Sequence, residues 1–88
     1  MAIVLGTQFT GTLGPGQTNT WFTHSWNANW NVAWMCVPTS PVIDGPAQVE
    51  WKIRNTRQAA NLVKWFITAK NLTGGNLTFQ ARYAILNA

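Results

Sequence analysis

The sequence predicts an all-β fold: a small antiparallel β-sandwich of about six strands in a single domain over residues 1–88. Three observations carry this. Apolar and polar residues alternate with period two through several runs, no stretch sustains a 3.6-residue period behind a helix start signal, and clusters of Gly, Pro, Asn and Ser punctuate the runs.

Taken in order, a first strand is expected over residues 3–13 and a second over 17–25, separated by the turn Gly14-Pro15-Gly16. The stretch WFTHSWNANWNVAW then places Trp26, Trp30 and Trp34 four residues apart, a spacing that suits one face of a helix or of a strand. The residues between them decide. Trp26, Ala28, Trp30, Val32, Trp34 and Cys36 alternate against Asn27, Asn29 and Asn31, and Asn disfavours helix interiors, so a strand is expected over 30–38, closed by Pro38 and Pro41. The segment PTSPVIDGPA reads as a longer connection crossing between sheets.

In QVEWKIR, Val49, Trp51 and Ile53 oppose Gln48, Glu50, Lys52 and Arg54. In NLVKWFITAK, Val63, Trp65, Ile67 and Ala69 share one face, while the other carries Leu62, Lys64, Phe66, Thr68 and Lys70 and is only half polar. Mid-strand positions make Trp51 and Trp65 the predicted core tryptophans. The last run, LTFQARYAIL, alternates Leu77, Phe79, Ala81, Tyr83 and Ile85 against Thr78, Gln80, Arg82 and Ala84. Between these two runs, Gly74-Gly75 is expected to supply the positive φ angles of a tight hairpin.

Charged residues make up 9% of the chain, far below the roughly 25% of an average soluble domain. Neutral amides and hydroxyls replace them: eleven Thr, nine Asn and five Gln. All six cations lie between Lys52 and Arg82 and give a net charge of +4. They are single and separated along the chain, which disfavours nucleic acid as a partner. The lone Cys36 precludes an intramolecular disulfide, and MAIVLG has neither a basic leader nor an apolar stretch of membrane-spanning length, so a soluble chain without signal peptide is expected, a pattern compatible with the cytoplasm that leaves its location open. The sequons at Asn71 and Asn76 read as hairpin residues rather than glycosylation sites.

The frame GTLGPGQTNTWFTHSWNANWNVAWMCVPTSP, then VEW, then VKWFITAKNLTGGNLTFQARYAIL, resembles a short Trp-rich module that recurs, often in tandem, in bacterial proteins such as those of actinobacteria and cyanobacteria. The resemblance spans roughly residues 11–86, with WFTHSW, VAWMCVPTSP, WFITAKNLT and RYAIL as its most specific pieces. It implies a β-rich, self-contained unit and carries over no activity and no site residue. A looser likeness, in strand number, size and the final hairpin, is to the H-type lectins, six-stranded sandwiches that form trimers and bind galactose-type sugars. That family's sugar-binding motif has no position assigned here, so this likeness stays at the level of the fold.

Catalysis needs a nucleophile with a base, paired carboxylates or a metal cluster, and the chain offers one His24, one Cys36, one Asp44 and one Glu50. His24 and Cys36 could form a dyad only from neighbouring strands; Cys36 reads as a small buried hydrophobe. No enzyme, metal or cofactor is expected. Sugar binding asks instead for a flat ring against which a pyranose C–H face can lie, with neutral groups for its hydroxyls. SWNANW holds both, so Trp26 or Trp30 is the expected platform, Asn27 and Asn29 the hydroxyl partners, and His24 a further donor. The bland alternative is that these rings close the sandwich while the asparagines bond their own turn. Leu62 and Phe66, apolar residues on a nominally wet face, form the expected subunit interface together with Lys64 between them. The sequence thus points to a non-catalytic, lectin-like module that binds a glycan or other neutral polar ligand as a homo-oligomer, with a ligand-free self-assembly module as the alternative.

Overall fold

A computed structural model describes residues 2–88 as six strands: β1 Val4–Leu13, β2 Thr18–Asn27, β3 Val32–Ser40, β4 Val49–Ala59, β5 Leu62–Asn71 and β6 Leu77–Ile85. They form two three-stranded antiparallel sheets, β1-β6-β3 and β2-β5-β4. The expected sandwich is present. Its inner faces meet through aromatic rings: Phe9 of β1 stacks on Trp21 of β2 at 4.9 Å between centroids, and Trp34 of β3 lies 6.0 Å from Trp65 of β5. One core cluster is built on Leu13, Cys36, Ile67, Ala69, Phe79 and Ala81, and a second on Trp26, Val63 and Ile85. Among the described residues no helix is long and apolar enough to cross a membrane.

Consecutive strands pair only at β4 and β5, joined through Ala60-Asn61; every other connection passes from one sheet to the other. PTSPVIDGPA crosses as expected. The hairpin predicted at Gly74-Gly75 does not form, because β5 and β6 belong to opposite sheets, and the positive-φ glycines are Gly16 and Gly45. A buried side chain shapes that corner instead. Asn71 is fully buried at the end of β5, and its Nδ2 donates to the carbonyls of Leu13 (3.1 Å), Gly14 (2.9 Å) and Gly75 (2.7 Å). Its Oδ1 accepts from the Thr73 amide (2.8 Å) and hydroxyl (2.7 Å). The two inter-sheet corners, β1 to β2 and β5 to β6, are therefore held by one amide, which meets the need of buried polar groups for partners.

Two departures from strict alternation set the faces. β1 is bulged between Thr7 and Phe9, and β2 between Thr23 and Trp26. In β2 the extra residue is accommodated at Ser25, which adopts φ 65°, and its amide donates to Gln58 Oε1 at 2.8 Å. Uninterrupted alternation would leave Trp26 on the outer face with Phe22 and His24. The bulge turns it inward, against Trp34 (5.3 Å) and Tyr83 (5.1 Å).

β1 is an edge strand whose two glycines each face an aromatic residue across the ladder. Gly6 pairs with Tyr83 and Gly11 with Phe79, and a Cβ on Gly11 would come within 2.8 Å of the Phe79 ring. Pro38 lies inside β3 instead of closing it, which is tolerable because β3 is also an edge.

Candidate functional site

The turn region divides the five residues expected to share a ligand. Trp26 is only 8% exposed and its indole N–H donates to Thr23 Oγ1 at 3.0 Å, so its ring offers no open platform. Trp30 is half-buried and packs edge-on to Trp26 at 6.2 Å. Asn27 Oδ1 accepts from the Asn29 amide at 2.9 Å, the self-bonding turn of the bland alternative. The carbonyl of Asn29 accepts from Asn87 Nδ2 at 3.0 Å. His24 lies on the outer face of β2, with Nδ1 2.9 Å from Ser25 Oγ. His24 and Trp26 therefore point to opposite sides of the sheet, and the bulge is the reason.

Cys36 faces inward on β3, opposite Ala81. Burial pushes its thiol up from 9.0 to about 11, and His24 sits in the other sheet on its outside, so the two form no dyad. Among the described residues no group of three or more His, Cys, Asp or Glu could hold a metal ion.

Trp51 is the second correction. It shares a face with Ala69, as the alternation requires, but β4 is the sheet edge and the ring is left 39% exposed. The tryptophan assigned to the core is therefore open, and the one assigned to a platform is buried. Trp65 keeps its interior place beside Trp34.

The outer face of β2-β5-β4 gathers the chemistry that the sequence disperses. Pairing registers arrange it in four rows running across the sheet: Thr18, Lys70 and Glu50; Thr20, Thr68 and Lys52; Phe22, Phe66 and Arg54; and Lys64 with Thr56, beside the β2 bulge that carries His24. Each row holds one lysine or arginine. Thr20 and Thr68 hydroxyls bond each other at 2.9 Å. Phe22 is 63% exposed, its ring 6.1 Å from Phe66, while the Arg54 guanidinium sits over Phe66 at 5.7 Å. At one end, Thr18, Glu50, Trp51, Lys52, Thr68 and Lys70 line a shallow depression of about 240 Å³. Lys64 and Phe66 of the expected subunit interface belong to this face, with half-buried Leu62 at its margin.

Period two places the outward residues of each strand, and the sequence shows it; which rows they form depends on register, which no single strand displays. No protein-family model matches this chain, and no curated protein or solved structure matches it.

Proposed function

We propose that this chain is a non-catalytic, lectin-like carbohydrate-binding module whose ligand lies on the outer face of β2-β5-β4, with Trp51 at its margin. The observation that carries the reading is the depression at rows one and two. It brings two threonines, one glutamate and two lysines around a space of about 240 Å³, with the exposed sheet-edge residue Trp51 beside them. An indole suits the apolar face of a pyranose, and hydroxyls with charged groups of both signs suit its hydroxyls. The expected site thus moves from Trp26, Asn27, Asn29 and Trp30 to a surface that shares only the neighbourhood of His24. Fluorescence titration with mono- and oligosaccharides is the test. Saturable quenching lost in Trp51→Ala supports the proposal, and quenching retained in that variant refutes it.

Self-association is a second reading, favoured by the opposite sheet. There Leu5 is 74% and Met35 38% exposed, beside Arg82 and Tyr83 around a depression of about 370 Å³. A homo-oligomer built there leaves the β2-β5-β4 face free, so several weak sites would act together. Sedimentation of wild type and Leu5→Lys tests it: a complex that the substitution dissociates supports the reading, and a 9.8 kDa species for both at high concentration refutes it.

A further inference from the structure

We infer that the glycan bound by this face is a linear acidic polysaccharide, one carrying an anionic group at regular intervals. This rests on the carbohydrate reading above. The observation is the order of the cations. Taken by register along β5, they fall at Lys70, then Lys52 opposite Thr68, then Arg54 opposite Phe66, then Lys64. Rows on one face of a strand are two residues apart, about 6.8 Å, so the four cations form a ladder about 20 Å long at one charge per row.

A single sugar would use only one end of that ladder. A neutral chain would use none of its charge, and four like charges on one face repel each other in the free protein, so an occupant of opposite sign is the one complementary to it. Glu50 is the single anion in the grid, placed beside Lys70 in the first row. It offsets that row and concentrates the attraction on rows two to four.

Single-stranded nucleic acid is the other linear polyanion, and the aromatic groups argue against it. Its platforms offer successive free rings to successive bases. Here Arg54 covers Phe66, leaving Phe22 as the exposed phenyl ring of the grid, while Thr18, Thr20, Thr56 and Thr68 supply neutral hydroxyl partners in three of the four rows. Those groups match sugar hydroxyls between charged substituents.

The test uses the intact chain against four probes at matched chain length: polygalacturonate, dextran sulfate, neutral dextran and oligothymidylate. Polygalacturonate and dextran sulfate separate carboxylate from sulfate as the recognised anion. Either binding at least tenfold tighter than dextran is the expected result, with affinity falling on the order of tenfold between 50 and 200 mM salt. Lys52→Gln with Arg54→Gln should weaken the acidic probe at least tenfold without moving the unfolding midpoint, and Glu50→Gln should strengthen it. Equal binding of dextran and the acidic probes overturns the ladder inference but leaves the carbohydrate reading standing. Oligothymidylate binding tighter than every glycan overturns both, as does binding of no probe. Acidic-glycan binding unchanged in the double variant overturns the assignment to this face.

Discussion

Replacing Asn71 by Ala removes the side chain that joins two corners of the sandwich, and its cost can be worked from its bonds. Three carbonyls lose a donor and the Thr73 amide and hydroxyl lose an acceptor. Each intramolecular hydrogen bond contributes about 1 kcal/mol net, and a buried group left without a partner costs about 1–3 kcal/mol. Gly75 and the Thr73 hydroxyl lie near solvent and can recover water, whereas the Leu13 carbonyl is enclosed. The expected loss is about 3–4 kcal/mol, a large part of the roughly 5–10 kcal/mol available to a domain of this size. Urea unfolding followed by tryptophan fluorescence measures it, and the midpoint on heating should drop by more than about 12 °C. Asn71→Asp sharpens the argument: it keeps the acceptor but sets a carboxylate against three carbonyl oxygens, so it should be at least as damaging at neutral pH and partly relieved in acid. A loss below about 1 kcal/mol for Asn71→Ala would show that the corners are held by their backbone alone.

Deleting Ser25 removes the extra residue, so plain alternation then keeps Trp26 inward opposite Val63 and the cooperative transition should survive; Ser25→Val, with a β-branched residue at φ 65°, should cost about 1–3 kcal/mol by the same unfolding assay. Gly11→Ala, whose methyl would press on Phe79 and Trp21, should lower stability by about 1–3 kcal/mol in thermal melts. Cys36 should resist thiol reagents in the folded protein at pH 8. Its thiol pKa is raised on folding, so the native state holds the proton longer than the unfolded chain. Stability is then intact below pH 9 and declines as pH rises from 9.0 towards about 11, which urea midpoints across that range will register. Trp26→Ala should cost about 3–5 kcal/mol, whereas Trp51→Ala should cost much less and act chiefly on ligand binding, a contrast that paired melts and titrations resolve.

The strands were legible in the sequence because period-two patterning is a local property. Val49, Trp51 and Ile53, or Leu77 through Ile85, declare a face without knowledge of any neighbour. What stayed hidden depends on partners. The glycines at 74 and 75 fit a hairpin or an inter-sheet corner equally, and the choice belongs to Asn71, whose three carbonyl partners are distant in sequence or in the turn. The bulge at Ser25 is stabilised by Gln58, thirty-three residues away, so the inversion of Trp26 has no local signature. Trp51 sits at an inward position, but its exposure follows from β4 being an edge, a fact of sheet order. The cation ladder combines both kinds: the outward positions were readable, and the rows were not. Charges that look dispersed at 52, 54, 64 and 70 become adjacent once β4 and β5 are aligned.

The measurement that bears most directly on the account is amide chemical-shift mapping of the labelled protein during titration with a glycan probe. Saturable shifts should concentrate at Thr18, Thr20, Phe22, Glu50 to Arg54 and Lys64 to Lys70, with little change at Leu5, Met35 and Arg82 on the opposite sheet. Shifts centred on Leu5 and Met35, or on the Asn27 to Trp30 turn alone, or none at millimolar sugar, would contradict it.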